Sequence, residues 1–325
     1  PHINWKAVDQ PGEYTISVAI SEDGGKTTIG VTSTLDVQIP TPTPSPSPTP
    51  TNTPTPKPTK APVVAKPAAE AAPAAAPKPS GGGCVGYGVQ AHLVGGDIPR
   101  ILDLVQQMGF GWVKQQVEWF RYNPAPGAYD WAPLDQIVDA CAARGIRVLF
   151  SVCKAPAWAR PGDDDKGVAG PPADPNTMAE FMRQMAARYK GRVQAYEVWN
   201  EQNLYYEWGG RGGRLSASNY VALLRAVYGA IKSVDPGAVV ISGALTPTGH
   251  SDGDIAIDDQ TYLRQMYDAG LKHVCDAIGA HPSGYNNPPD ADWRTFSDPS
   301  TPRAKGHPSW FFRGTMEGYR NIMVA

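Results

Sequence analysis

The sequence predicts an α/β fold with parallel strands over residues 84–325. Short β-type runs alternate there with segments of helical period, and repeated βα units place their strands parallel. A glycine follows each of five helical segments, at Gly109, Gly145, Gly191, Gly237 and Gly270. Those spacings match one strand-plus-helix unit, and a left-handed residue after each helix explains them, because glycine carries no Cβ penalty there. No glycine-rich phosphate loop follows the first strand, which weakens an open doubly wound sheet as the alternative.

The elements follow in order. Residues 1–39 read as all-β and as the C-terminal part of a β-sandwich module. Glu13 to Ile20 alternates with period two, Asp23-Gly24-Gly25 reads as a hairpin turn, and Thr27 to Ile39 is β-rich. Two or three strands make no stable core alone, so this stretch is expected to be the end of a larger module. Residues 40–83 form a Pro/Thr/Ser/Ala-rich linker, suited to an extended polyproline spacer or an O-glycosylated stalk. Plain disorder in any extracellular protein is the bland alternative.

Beyond the linker, Tyr87 to Leu93 is the first barrel strand, and Asp97 with Pro99 opens the first helix. Further strands are expected at Trp112–Trp119, Ile146–Val152, from Tyr196, at Val239–Leu245 and at Asp276–His281. Further helices are expected near Pro133–Arg144, Pro175–Tyr189, Ser216–Asp235, Thr261–Ala269 and within Ser309–Val324. That makes about six βα units.

The formal charge is −2, from 29 basic and 31 acidic residues, which argues against a nucleic-acid face. No apolar run reaches the roughly 18 residues of a membrane span. Cys84, Cys141, Cys153 and Cys275 show no metal-ligand spacing. Buried free thiols are the simplest account of them, with three disulfide pairings left open by sequence. Neither a metal nor an organic cofactor is expected. The chain opens on Pro1 inside a strand-like run and closes in a helical one, and is therefore expected to be cut at both ends.

The most informative run is Tyr196-Glu197-Val198-Trp199-Asn200-Glu201-Gln202-Asn203, a strand pattern ending in an amide and a carboxyl. A carboxylic acid at a strand's C-terminal rim can protonate a leaving oxygen and later deprotonate water. Adjacent strand residues face opposite ways, so Asn200 and Glu201 share a cleft only if a bulge between Trp199 and Glu201 re-aims one of them. Other strand ends offer His92, Glu118, Trp158 and His281, with Tyr285 just beyond. On the second barrel strand Lys114, Gln116 and Glu118 share one parity, suited to the barrel mouth, while Val113 and Val117 share the other.

Tyr196 to Glu201, Pro156-Ala157-Trp158 and His281-Pro282 together resemble the clan A glycoside hydrolases, retaining (β/α)8-barrel enzymes, nearest the β-xylosidase-like and cellulase-like families. The resemblance implies a partial TIM barrel and hydrolysis of O-glycosidic bonds in a β-linked oligo- or polysaccharide by double displacement. It implies Glu201 as acid/base, Asn200 as partner of the sugar 2-hydroxyl, Trp158 as a ring platform, and His92, His281 and Tyr285 as subsite lining. An arginine is common on the second strand of these families, whereas Lys114 or Gln116 stands here. The family's nucleophile is a Glu at the end of a seventh strand. Asp276, Asp290, Asp292, Asp298 and Glu317 are all misplaced for that role, so the nucleophile is expected beyond residue 325 and the isolated chain is expected to be inactive. Such an enzyme is expected to be a secreted or cell-surface monomer.

Each residue also has a purely structural reading. Glu201 could be a salt-bridged rim carboxylate, Asn200 a loop cap, and His92 and His281 core histidines. Trp158 and Tyr285 could simply pack, as could Tyr205, Tyr206 and Trp208, and Glu118 could pair with a neighbouring Arg or Lys. The competing function is a non-catalytic carbohydrate-binding or adhesion protein on the same barrel.

Overall fold

A computed structural model describes residues 12–21, 28–37, 86–285, 287–296 and 306–325. The chain divides into two units, Pro1–Ala71 and Ala72–Ala325. In the first, β1 (Gly12–Ser21) and β2 (Thr28–Val37) form an antiparallel pair with Gly12 opposite Val37 and Ser21 opposite Thr28. The hairpin turn at Asp23-Gly24-Gly25, the 40–83 segment, Cys84 and Asp298 lie outside the described residues.

The second unit is a five-stranded parallel sheet in the order β3 (Gly88–Gln90), β4 (Trp112–Glu118), β5 (Arg147–Cys153), β6 (Ala195–Asn200) and β7 (Val239–Ala244). Sequential strands are neighbours, as stepwise βα units require. Between them run α1 (Ile98–Gln107), the short α2 (Trp119–Tyr122), α3 (Ala132–Ala143), α4 (Pro175–Arg188) and α5 (Ala217–Val234). After β7 come α6 (Asp259–Asp268) and α7 (Phe312–Val324).

Capping sets the helix starts. The side chains of Asp97, Asp174, Ser216 and Asp258 each accept a hydrogen bond from a backbone N–H of the first turn, satisfying donors that helix geometry leaves without a partner. Gly109, Gly145, Gly191 and Gly270 are left-handed after their helices, as expected. Gly237 is not: α5 ends earlier, in the Asp235-Pro236 turn. The expected second strand also stops one residue short, because Trp119 starts α2.

The expected sixth strand is reduced to two bridges, Ala277 to Ile241 and Ala280 to Leu245. Between them the Gly279 N–H donates to the Ser242 hydroxyl instead of a backbone carbonyl, which interrupts the ladder. A Cβ on Gly279 would fall 2.8 Å from the Ala244 nitrogen, so the backbone passes close over β7 only because glycine is there.

Along β4 the burial alternates. Val113 and Val117 sit fully buried in the core, while Lys114, Gln116 and Glu118 stay partly accessible on the opposite face. The core is rich in large side chains. Trp119 and Trp131 both stack on the Phe181 ring, at centroid distances of 5.5 and 5.3 Å. Such pairs add about 0.5–1.5 kcal/mol each beyond the area they bury. These contacts tie α4, through Phe181, to Trp119 just after β4 and to Trp131 just before α3.

Candidate active site

Among the described residues, four that are not glycine have left-handed backbones: Lys154, Trp199, Glu201 and Tyr285. Lys154 follows β5, Trp199 and Glu201 end β6, and Tyr285 follows the bridge at Ala280, so all four lie at the C-terminal rim of the parallel sheet. Such conformations cost about 1–3 kcal/mol each and persist where surrounding structure enforces them.

At Trp199 the enforcement is visible. The β6–β7 register pairs Val198 with Ser242 and Asn200 with Ala244, so no extra residue is inserted between them. The expected bulge is therefore replaced by a local twist that keeps register. Tyr220 of α5 fills the gap: its hydroxyl donates to the Val198 carbonyl at 2.8 Å and accepts from the Gly243 N–H at 2.6 Å. Gly243 is the opposite requirement, since a Cβ there would approach the Val198 oxygen to 2.7 Å. The Trp199 indole is fully buried and donates to the Glu207 carbonyl at 2.8 Å.

The turn after β6 is tied to the end of β7. The Glu201 N–H donates to the Ala244 carbonyl at 2.9 Å. Gln202 Nε2 donates to the Gly243 carbonyl at 2.9 Å, and Asn203 Nδ2 donates to the carbonyls of Thr246 and Ile257 at 2.8 and 3.0 Å. Both amides are fully buried. Glu201 is thereby held on a fixed backbone while its side chain stays 22% exposed.

Glu201 Oε1 lies 2.9 Å from Nδ1 of His281. Burial pushes the Glu201 carboxyl up, but hydrogen bonds from His281 and Thr246, with the charges of His281 and Lys114, outweigh it and leave the group below the usual carboxylate range. Lys114 itself pairs with the buried Glu197 at 2.5 Å, and Gln116 Nε2 donates to the Cys153 sulfur at 3.1 Å.

Of the other expected residues, Asn200 pairs with Ala244 at the end of β6, beside Glu201. His92 is exposed and lines a cleft of about 310 Å³ with Gln116, Glu118 and Arg121. Glu118 there binds both Arg121 and Lys154, the latter at 2.6 Å. Trp158 is 37% exposed, donates its indole N–H to the Asn123 carbonyl and meets Trp119 edge-on. Tyr285 is 53% exposed and packs edge-on to Trp310 at 4.5 Å. The structure thus joins Glu201 directly to His281, and places His92, Trp158 and Tyr285 in separate surroundings.

Three of the late acids are paired with other residues. Asp276 pairs with Lys232 at 2.7 Å at the other end of β7 and caps Val240, while Asp292 and Glu317 pair with Arg294 and Arg313. Cys141, Cys153 and Cys275 are free thiols, the first two buried. Among the described residues no group of three or more His, Cys, Asp or Glu side chains is arranged to hold a metal ion.

Sequence reasoning passed over Glu207. Burial pushes its carboxyl up to about 7, with Lys154 and Asn200 opposing and Glu201 and Glu118 reinforcing the rise. Its position among Tyr205, Tyr206 and Trp208 was the available signal, because an acid flanked by large aromatics is apt to be desolvated.

A model of the cellulase family, glycosyl hydrolase family 5, matches residues 82–289. The chain belongs to that family. This glycosyl hydrolase family 5 chain is 30% identical over 92 residues to a beta-1,4-xylanase of Dictyoglomus thermophilum, across 27% of its own length and 24% of the relative's. It therefore spans about a quarter of that relative. Its fold matches a family 39 glycoside hydrolase from the gut symbiont Bacteroides cellulosilyticus WH2 with a TM-score of 0.50 at 24% identity, covering 65% of this chain and 41% of that one. The parallel sheet of this family 5 chain is thus a partial barrel of the glycoside hydrolase kind.

Proposed function

We propose that this chain carries the acid/base half of a retaining glycosidase site that hydrolyses β-linked polysaccharide, with xylan and cellulose as the substrate classes its relatives' names suggest. The observation that carries this reading is Glu201 on its enforced left-handed turn, fixed by buried amides and bonded to His281. Glu201 protonates the glycosidic oxygen as the bond breaks and then takes a proton from the water that releases the sugar. Asn200 binds the 2-hydroxyl, His281 orients the Glu201 carboxyl, and His92, Trp158 and Tyr285 line outer parts of the sugar path.

Double displacement needs a second carboxylate about 5–5.5 Å from the first. Asp276, Asp292 and Glu317 are committed to other partners, and burial of Glu207 disfavours the ionised form that a nucleophile needs. The reading therefore requires a nucleophile from outside the described residues. Its arrival would also raise the Glu201 carboxyl by like-charge repulsion, towards what a proton donor needs. The lack of a placed nucleophile among the described residues also supports a second reading, a barrel that binds sugar without cleaving it. A secreted monomer with a stalk over 40–83 and a sandwich module over 1–39 fits the composition of those segments. No helix among the described residues is long and apolar enough to cross a membrane.

The test is hydrolysis of an aryl β-glycoside by the protein carrying the complete site. Glu201→Gln is expected to lower kcat by about 10²–10⁴-fold, the usual contribution of general acid–base catalysis. Unchanged turnover would remove Glu201 from this role. Oligosaccharide binding with no turnover in the unaltered protein would favour the second reading.

A further inference from the structure

Glu118, the last residue of β4, holds two cations. Its Oε1 accepts from Lys154 Nζ at 2.6 Å and its Oε2 from Arg121 Nε. The pairing leaves one positive charge over, and donors with it. Among the described residues Arg121 hydrogen-bonds through Nε alone, so both terminal NH₂ groups remain, and Lys154 Nζ keeps two protons. The carboxylate is the most covered of the three, with 24% of its side chain exposed against 33% for Lys154 and 60% for Arg121. The face turned to solvent is therefore positive, in a chain whose net charge is −2. Glu207 also faces Lys154, but its burial favours the neutral form.

Lys154 holds its place on a strained backbone. Its φ of 62° lies in the left-handed region, which disfavours a residue with a Cβ and which glycine enters without steric cost. The Phe120 N–H donates to the Lys154 carbonyl at 3.2 Å, tying the strained residue to α2, the helix that carries Arg121. A partly exposed ion pair contributes little to stability, so the bond to Glu118 does not offset that strain. Glu118 and Arg121 line the cleft of about 310 Å³ together with His92 and Gln116. β4, β5 and β6 are neighbours in the sheet, spaced about 4.8 Å. Lys154 follows β5, so it stands one strand from the end of β6 that carries Glu201. A sugar chain laid across these strand ends from Glu201 reaches the cleft next.

We propose that Arg121 and Lys154 form a subsite for the carboxylate of a uronic acid side group on the polysaccharide, an inference that rests on Glu201 belonging to a polysaccharide-cleaving site. The carboxylate meets the two terminal NH₂ groups of Arg121 in a planar two-bond fork and takes a third hydrogen bond from Lys154, which neutralises the surplus charge. A neutral side group of the same shape leaves that charge as it is. Glu118 acts as a positioning residue, since it holds both cations at one place on the rim. Arg121 and Lys154 thus set specificity, and xylan bearing uronic acid is favoured over the undecorated polymer.

The test is calorimetric binding of two xylo-oligosaccharides that differ at one side group, glucuronic acid in the first and its carboxyl-reduced form, glucose, in the second. The protein carrying the complete site is expected to bind the acidic one about fivefold more tightly at low salt, the scale of a charge-assisted contact at a partly exposed place. That preference is expected to shrink at high salt, as screening requires. Arg121→Gln alters an exposed side chain, and Lys154→Gly fits the left-handed backbone, so each is expected to fold and to lose most of the preference. Equal affinity for the two oligosaccharides, or a preference that both variants retain, would overturn the uronate subsite and leave the role of Glu201 standing. Binding of neither would overturn both. Preference for the acidic one without turnover would support the subsite and favour the barrel that binds sugar without cleaving it.

Discussion

At Glu201 two opposing effects meet, and the hydrogen bonds win. Burial alone would raise the carboxyl, but His281 and Thr246 hold it below the usual range. Removing His281 takes away both a hydrogen bond and a charge, so in His281→Ala the desolvation effect is left less opposed and the Glu201 pKa is expected to rise. Carboxyl ¹³C titration measures this directly, and an unchanged or lower midpoint would show that His281 does not set the Glu201 charge. The run ending in Asn200 and Glu201 made this residue's place legible, because a strand pattern that closes on an amide and an acid sets the acid where the strand gives way to a loop. Glu207 was not legible in the same way. Its upward shift comes first from burial, which only the fold decides, and nothing in the spacing of Glu118, Lys154 and Glu207 shows that they converge.

At the scale of elements, the end of β6 depends on a side chain from α5. The Tyr220 hydroxyl satisfies the Val198 carbonyl and the Gly243 N–H, both buried, where the ladder between β6 and β7 opens. Tyr220→Phe leaves both groups without that partner and is expected to destabilise the barrel unit by about 1–3 kcal/mol in denaturant unfolding. A neutral result would mean that the strands re-pair and that the Trp199 twist does not need the hydroxyl.

A second element-scale device ties α3 to α4. Asp135 receives two N–H groups of Arg188, at 2.7 and 2.6 Å, and the Tyr189 hydroxyl at 2.9 Å. The Arg188 and Tyr189 hydrogen bonds together outweigh burial and hold the Asp135 carboxyl below the usual range. A lowered carboxyl contributes stability above its unfolded pKa and loses it as pH falls through the folded value. Asp135→Asn is therefore expected to cost about 1 kcal/mol at pH 7, where the partly exposed pair is intact. The cost should shrink as the pH drops below 4, and a cost that stays constant with pH would rule out the charge as its source.

Helices were more legible than strands at this scale. Asp97, Asp174 and Ser216 mark helix starts by local chemistry, and four of the five glycines mark helix ends. The sixth strand is broken by a contact that local sequence does not report, the Ser242 hydroxyl on the Gly279 N–H. The bulge expected near Trp199 followed from the need to turn two neighbouring side chains into one cleft. The chain meets that need with two left-handed residues, a solution available because Tyr220 and Gly243 lie opposite.

For the molecule as a whole, strain and buried amides converge on one rim of a partial barrel. The parallel order of β3 to β7 puts every strand's C-terminus on that rim, the face on which barrel enzymes place their chemistry. The alternation of strand and helix made this architecture readable, whereas separate lining of His92, Trp158 and Tyr285 emerged only from the folded loops. The central claim, that Glu201 gives its proton to the leaving oxygen, is tested most directly by changing how much the leaving group needs that proton. In Glu201→Ala of the protein carrying the complete site, kcat/KM for a phenyl β-glycoside is expected to fall by about 10²–10⁴-fold. For a dinitrophenyl β-glycoside, whose leaving group departs without protonation, it is expected to change little. Equal losses on both substrates would contradict the assignment of Glu201 as the proton donor.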